Sequence, residues 1–157
     1  MKRTLALCLL LPLFGCEVAV DTETATKDDA SPDVAWLKAS GTEDMDLPFS
    51  SAVRVDNTLY LSGALGIVPG TRELAAGGIA GETRQTLENI AMTLENFGSS
   101  MENVVKCTVF LADIGEWAAM NEVYTTFFPN KPARSAMGVG GLGLDARVEI
   151  ECVAVIR

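Results

Sequence analysis

Apolar residues follow helical spacing in two segments of the chain and strand-like spacing in several others. They recur at helical intervals over residues 79–97, where Gly98 takes the position of a C′ glycine, and again between Asp113, an expected N-cap, and Pro129. Shorter β-rich runs bounded by turn residues predict strands at 52–55, 58–63, 104–111, 135–139 and 147–155. The first two runs are close enough along the chain to form a hairpin.

The order of the predicted elements is strands, helix, strand, helix and strands. This order is typical of an α+β fold in which both helices pack on one face of a mixed sheet. In residues 148–155 both alternating faces contain apolar side chains, so the second face of the sheet is expected to be buried as well. The simplest cover for that face is another copy of the chain, and the sequence therefore predicts a homo-oligomer.

The N-terminus has the pattern of an export signal. Two basic residues precede an apolar run at 5–14, which is too short to span a bilayer but fits the core of a secretory signal. The run ends in Leu-Phe-Gly-Cys at 13–16, which is similar to a bacterial lipobox. We therefore predict a lipoprotein signal peptide at 1–15, lipidation of Cys16, and a location in the bacterial cell envelope. Glu17 is not the aspartate associated with inner-membrane retention, which favours the outer membrane. An ordinary signal peptide with a chance cysteine is the alternative.

Acidic residues are concentrated after the predicted signal. Residues 17–46 hold nine acids against two lysines, with little hydrophobic periodicity, so residues 16–46 are predicted to be a disordered tether. Residues 47–157 have the length of one ordinary domain. That domain carries twelve acids and eight bases, and this charge balance argues against nucleic-acid binding.

The chain contains no histidine. A Ser-His-Asp or Cys-His nucleophile system and a histidine general base are therefore excluded within one chain. Cys107 and Cys152 each lie in a predicted buried strand without a Cys-x-x-Cys spacing, so no metal site is expected. Both are expected to be buried free thiols, and a disulfide between them requires Cα atoms within about 7 Å.

One arginine, Arg134, lies directly before the predicted strand 135–139, and two carboxylates lie in the last predicted strand. Glu149 and Glu151 are two residues apart and so point to the same side of their strand. The pattern alone favours solvated carboxylates at a sheet rim, with Arg134 as a solvated or ion-paired strand end. The alternative is a cleft that contains Arg134 and Glu149, since a planar guanidinium suits bidentate capture of a carboxylate ligand.

Short motifs occur in order throughout residues 47–157. They are Leu-Tyr-Leu-Ser-Gly at 59–63, Pro-Ala-Arg-Ser at 132–135 and Val-Glu-Ile-Glu at 148–151, with further stretches at 47–53, 78–89, 98–100, 103–106, 109–113 and 120–128. Together they resemble the RidA (YjgF) family of reactive-intermediate enamine/imine deaminases, also known as endoribonuclease L-PSP. No single motif is specific, but their shared register identifies the family.

The resemblance implies a chorismate-mutase-like α+β subunit that assembles as a homotrimer, with a cleft at each subunit interface. It places the substrate-anchoring arginine at Arg134 and the cleft glutamate at Glu149, with Ser62, Gly63 and Asn121 as further substrate-binding positions. The implied reaction is hydrolytic deamination of a small anionic 2-imino or enamine acid to a 2-keto acid and ammonia. This reaction requires no metal or organic cofactor.

Three positions depart from the family pattern. Phe49, at the implied substrate site, stands where many active members have tyrosine, while Ala64 and Ala136 replace a glutamine and a cysteine. These departures leave a second interpretation open, a catalytically inactive envelope module that binds small carboxylates or a partner. A trimeric structural or holdase-like surface is a further alternative. Endoribonuclease activity, the older family label, is disfavoured by the acidic surface and the absence of histidine.

Overall fold

The computed structural model describes residues 31–40 and 46–157 of the chain. These residues form one sheet, two α-helices and three short 3₁₀ turns. The strands are β1 (Val34–Leu37), β2 (Ala52–Val55), β3 (Thr58–Leu61), β4 (Ala64–Leu65), β5 (Val104–Leu111), β6 (Ala133–Gly138) and β7 (Val148–Val155); the helices are α1 (Gly78–Asn96) and α2 (Trp117–Phe127).

The strands follow the order β1-β2-β3-β7-β5-β6, and the short β4 also pairs with β7. All neighbouring strands are antiparallel except β5 and β6, which are parallel. The parallel pair is the one whose connection contains a helix, α2, as a crossover between parallel strands requires. The predicted mixed α+β fold is confirmed.

A single hydrophobic core lies between the helices and one face of the sheet. It combines the buried stripe of α1 with the inward side chains of the central strands. Leu87, Ile90 and Leu94 of α1 are fully buried, as are Val109 of β5 and Ile150 of β7. The three α1 residues lie on one face of the helix because of their spacing, and the two strand residues point toward that face because side chains alternate along a strand.

The sheet face away from the helices combines apolar and charged side chains and is uncovered in the single chain. Tyr60 of β3 and Met137 of β6 both point to this face and are 49% and 42% exposed. Because β7 lies at the centre of the sheet, its outward side chains, Glu149, Glu151 and Val153, lie among these apolar groups. The predicted homo-oligomer would cover this face, and it stays a prediction.

The predicted end of α1 at Gly98 agrees with the structure, whereas the predicted N-cap of α2, Asp113, caps a 3₁₀ turn before the helix. Gly98 follows the end of α1 with a φ of 77°, the left-handed conformation that glycine adopts without steric cost. The Asp113 side chain accepts a hydrogen bond from the Gly115 backbone N–H, so it caps the 3₁₀ turn Ile114–Glu116. The α-helix itself begins only at Trp117.

The structure corrects the predicted tether in one place. Residues 34–37 form β1, which pairs with β2, and Asp33 makes a 2.8 Å ion pair with Arg54. The sequence did not reveal this strand because it is four residues long and lies in an acidic stretch with weak periodicity. Backbone pairing, which is independent of side-chain pattern, holds it at the sheet edge.

The two cysteines of the core are not free thiols. Cys107 and Cys152 are direct partners in the β5–β7 ladder, their Cα atoms are 4.1 Å apart, and they form a disulfide. The prediction of free thiols is therefore wrong. It failed because strand register, and with it the Cα separation, is set by the whole sheet and not by either cysteine.

Within the described residues, no helix is both long and apolar enough to cross a membrane. The predicted signal peptide and Cys16 lie outside the described residues.

Candidate functional site

Arg134 on β6 is held in place by side chains of α2. Its Nη1 donates a 2.8 Å hydrogen bond to Oδ1 of Asn121, and its guanidinium carbon lies 4.6 Å from the centre of the Tyr124 ring. This is cation–π geometry, in which the ring face attracts the positive charge. Asn121 and Tyr124 are three residues apart on α2 and therefore share one face of the helix. Together they fix the position of the guanidinium from two directions.

A cavity of about 310 Å³ opens beside Arg134 and is lined by Asn121, Tyr124, Phe128, Lys131 and Pro132, among others. In the part of the chain that the structure describes, no carboxylate lies within ion-pairing distance of Arg134. A guanidinium has five N–H donors, and the bond to Asn121 uses one of them. The remaining donors are sufficient for bidentate binding of an anionic ligand.

Tyr124, which contacts Arg134, was predicted from the sequence only as part of the apolar face of the second helix. Burial raises the pKa of Tyr124 to about 12, and the nearby positive charge of Arg134 opposes that rise. Among the described residues, none pairs with its buried hydroxyl group. A tyrosine three residues after an asparagine, on the helix before the arginine strand, was the signal available in the sequence.

Glu149 on β7 lies against the backbone at Gly63. A Cβ atom at Gly63 would overlap Oε1 of Glu149, so the carboxylate occupies the space that a side chain at that position would fill. The pKa of Glu149 is raised, first by burial and second by the negative charge of Glu151. A carboxylate with a raised pKa accepts a proton more readily than an ordinary one, which suits a general base.

Ser62 connects the Gly63 region to the loop before β2. Its hydroxyl donates a 2.7 Å hydrogen bond to the Ser50 carbonyl, and its backbone N–H donates to the Ser51 carbonyl. The hydroxyl proton is thus committed to the protein, and only the oxygen is left to accept from a ligand. Phe49, the next residue in this loop, is 55% exposed and borders cavities together with Ser62.

The predicted site residues therefore form two groups, and the single chain keeps them apart. Arg134 is the ladder partner of buried Cys107 and contacts α2, so it lies on the helix side of the sheet. Glu149 is the ladder partner of Phe110, between the buried Val148 and Ile150, and so faces away from the helices. An anchor and a base on opposite faces of one sheet cannot act on the same small ligand within one chain.

These features define a class of protein: a one-sheet α+β subunit with a fixed arginine on the helix side of the sheet and a carboxylate of raised pKa on the other side. The sequence profile of the endoribonuclease L-PSP family matches residues 43–156. The chain belongs to this family, also called RidA or YjgF.

Several relatives and solved structures are similar over the same region. A Bos taurus protein named 2-iminobutanoate/2-iminopropanoate deaminase is 47% identical over 109 residues, which cover 69% of this chain and 80% of the relative. The crystal structure of the yeast protein YEO7 has a TM-score of 0.74 at 35% identity and covers 80% of this chain and 100% of that one. The crystal structure of E. coli TdcF with bound serine has a TM-score of 0.67 at 29% identity and covers 78% and 94%.

Proposed function

We propose that this protein hydrolyses 2-imino and enamine acids to 2-keto acids and ammonia, in clefts between the subunits of a homotrimer. The observation that carries the proposal is a pair of half-sites: the Arg134 guanidinium, which is held by α2 and has no carboxylate partner among the described residues, and the Glu149 carboxylate, whose pKa is raised. The names of the relatives supply the reaction class, since the bovine protein is a 2-imino acid deaminase. Bound serine in the E. coli structure is a small carboxylate of the size that the proposed substrate has.

Arg134 provides the anchor in this proposal. Its free N–H groups bind the substrate carboxylate in a bidentate, charge-assisted pair, while Asn121 and the Tyr124 ring hold the guanidinium still. This pair fixes the position of the neighbouring C2 carbon and its C=N bond. Positioning alone is a large part of catalysis for an electrophile that is already reactive.

Glu149 provides the acid–base chemistry. It removes a proton from a water molecule as the water oxygen bonds to C2 and the C=N electron pair moves to nitrogen, and it returns that proton to the nitrogen to give a carbinolamine. Glu149 then takes the proton of the carbinolamine hydroxyl group and passes it to the amine. The C–N bond breaks, ammonia leaves, and the C2 oxygen becomes the carbonyl of the 2-keto acid, with one water consumed. Acid–base assistance of this kind contributes about 10²–10⁴-fold in rate.

Assembly into a homotrimer completes the site. The uncovered face of the sheet, with the large apolar side chains of Tyr60 and Met137 exposed, supports burial against another copy of the chain. Such burial brings Glu149 of one copy toward the surface of the next, where the partner's Arg134 half-site can face it. A cyclic arrangement repeats this contact identically at each seam.

We also propose that the protein acts in the bacterial envelope, anchored at the outer membrane through lipid on Cys16. The disulfide between Cys107 and Cys152 supports this location, because disulfides persist in oxidising compartments. Fractionation of cells that express the chain, compared with the Cys16→Ala variant, tests the anchor. Release of the variant, but not of the wild type, from the membrane fraction is the expected result.

Ammonia release from a freshly generated 2-imino acid tests the reaction. We expect Arg134→Ala to reduce kcat/KM by roughly 100-fold or more, since it removes a charge-assisted bidentate contact. Arg84→Ala changes an exposed arginine of α1 and serves as the matched control, with activity like that of the wild type. Equal rates with and without the wild-type protein would contradict the proposal.

A second candidate function is a non-catalytic module that binds small carboxylates. It is favoured by one observation: the Arg134 half-site, with its own cavity of about 310 Å³, is complete on a single chain. Calorimetric binding of a 2-keto acid without any acceleration of imine hydrolysis identifies this function.

A further inference from the structure

Trp36 is an exposed aromatic residue on the edge strand β1, in the segment that the sequence had assigned to the tether. It is 71% exposed. Its ladder partner is Val53, whose own partner in β3 is Tyr60. All three side chains therefore point to the sheet face away from the helices, which is also the face of Glu149.

A groove of about 430 Å³ begins at Trp36 and is lined mainly by apolar side chains. Leu47, Pro48, Phe49 and Val53 border it together with the polar residues Lys38 and Ser50, and Ser62 lies at its other end. Ser62 directly precedes Gly63, whose Cα is in contact range of the Glu149 carboxylate. The groove thus leads from the proposed catalytic carboxylate toward the indole ring.

The walls of the groove are held by hydrogen bonds on both sides. The Ala39 backbone N–H donates a 2.9 Å bond to Oγ of Ser51, which ties the end of β1 to the loop before β2. The Ser62 hydroxyl donates to the Ser50 carbonyl, which ties the same loop to the end of β3. Phe49, next to these anchored residues, is therefore presented on a fixed loop, and the groove is formed before any ligand binds.

The size and chemistry of the groove exceed what a small imino acid needs. The groove is open to solvent along one side, and its volume of about 430 Å³ is larger than 2-iminopropanoate, with six heavy atoms, would fill. Two aromatic faces and three aliphatic side chains match an aromatic ring, which gains from offset or edge-to-face contacts with other rings.

We propose that the groove between Ser62 and Trp36 is a side-chain subsite that selects 2-imino acids derived from aromatic amino acids. The assignment rests on the proposed deaminase function and goes further by naming the substrate class. Trp36 and Phe49 act as specificity-determining residues that contact the ring of the substrate, and the carboxylate anchor and the base are unchanged.

The experiment compares the imines of alanine and phenylalanine with the full-length chain. An excess of L-amino-acid oxidase generates each imine, with catalase to remove peroxide, so that imine hydrolysis limits ammonia release. We expect the phenylalanine imine to be the better substrate, and Trp36→Ala to lower its kcat/KM roughly ten-fold. The same variant is expected to change kcat/KM for the alanine imine by less than about two-fold.

Trp117→Ala is the matched control, because Trp117 is the other tryptophan of the chain, is 48% exposed and lies on α2 away from the groove. It is expected to leave the ratio of the two substrates unchanged. Sedimentation of Trp36→Ala measures whether this variant still assembles into oligomers. A variant that loses both activities and also dissociates shows that Trp36 serves the interface between copies, and this overturns the subsite.

A binding measurement keeps the proposal testable without relying on the Trp36→Ala protein. In a Trp117→Phe background Trp36 is the only tryptophan, so its fluorescence reports the groove. We expect saturable quenching by 3-phenylpropanoate but not by propanoate. No quenching, or equal activity on both imines that Trp36→Ala does not alter, refutes the subsite but leaves the deaminase intact. Absence of activity on both imines refutes the deaminase function, and the substrate assignment with it.

Discussion

Two inactive variants of this protein are expected to restore activity to each other when they assemble together. Arg134→Ala removes the anchor from the helix side of the sheet, and Glu149→Gln removes the base from the opposite face. If each cleft takes its arginine from one subunit and its glutamate from the next, a mixed trimer contains some clefts in which both groups are intact. Neither homotrimer contains any such cleft.

The size of the recovered activity follows from the geometry. With random mixing of equal amounts, one half of the subunits carry arginine and the other half carry Glu149, so about one quarter of the clefts have both groups. Tandem purification of differently tagged chains after co-expression keeps only trimers that contain both variants, and each of these has one intact cleft out of three. We therefore expect about one quarter of the wild-type kcat for the unselected mixture and about one third for the tandem-purified trimers. Ammonia release from a 2-imino acid is the assay.

A double variant provides the control for this experiment. When Arg134→Ala is co-expressed with a chain that carries both Arg134→Ala and Glu149→Gln, no subunit supplies arginine, and no activity should return. Activity of the first mixture that stays at the sum of its inactive parents would place both groups in one chain's site. That result is incompatible with the inter-subunit cleft.

Four further perturbations test the separate parts of the site. Gly63→Ala should lower kcat roughly 100-fold by displacing the Glu149 carboxylate, and it should move the Tm by only about 4 °C or less, because only the end of a side chain must shift. The control is Gly140→Ala, whose added methyl group meets open space and should change neither kcat nor Tm. A large fall in the Tm of Gly63→Ala contradicts the reasoning. Tyr124→Ala should raise KM by roughly 3–30-fold through loss of the cation–π contact, whereas Tyr124→Phe keeps the ring and should leave KM unchanged. Equal KM values for the two variants in steady-state kinetics would argue against a role of the ring in holding Arg134. In a pH–rate profile, kcat/KM should fall as the pH falls through the raised pKa of Glu149, since the base becomes protonated. Glu151→Gln removes one cause of that rise and should move this acid limb to lower pH, and a shift to higher pH contradicts the assignment. Reduction of the disulfide between β5 and β7 should lower the free energy of unfolding by about 4 kcal/mol for a separation of 45 residues, as measured by urea denaturation, and an unchanged midpoint argues against a stabilising role.

The sequence was sufficient to predict the fold class because the local patterns agree with one another. Helical spacing over residues 79–97, the glycine that follows it and the alternation in residues 148–155 all describe elements that the structure contains. These signals arise because each element buries one face, and that burial sets the spacing of apolar residues along the whole element. The same reasoning placed Glu149 and Glu151 on one side of their strand, and the structure confirms it.

Features that depend on the register between strands, or on how a helix lies beside a strand, could not be predicted from the sequence. The Cys107–Cys152 disulfide requires these two residues to be ladder partners, and β1 requires a backbone edge at β2. The contact between Arg134 and the Tyr124 ring likewise depends on how α2 lies beside β6. In each case the deciding quantity is a distance between elements, which periodicity along one element does not contain.

Assembly has a chemical consequence for the proposed base as well as a geometric one. Glu149 and Glu151 project from the centre of the uncovered sheet face, and burial and mutual repulsion already raise the pKa of Glu149 in the single chain. Covering that face with another copy removes water, which penalises the charged form further and weakens the dielectric screening between the two carboxylates. Both effects raise the pKa of Glu149, whereas the guanidinium of the partner's Arg134 in the proposed cleft lowers it, because an opposite charge favours the ionised carboxylate. In the proposed assembly the contact that brings the guanidinium to Glu149 therefore also sets the pKa of this carboxylate through opposing effects, whereas a chain held as a monomer keeps Arg134 and Glu149 apart.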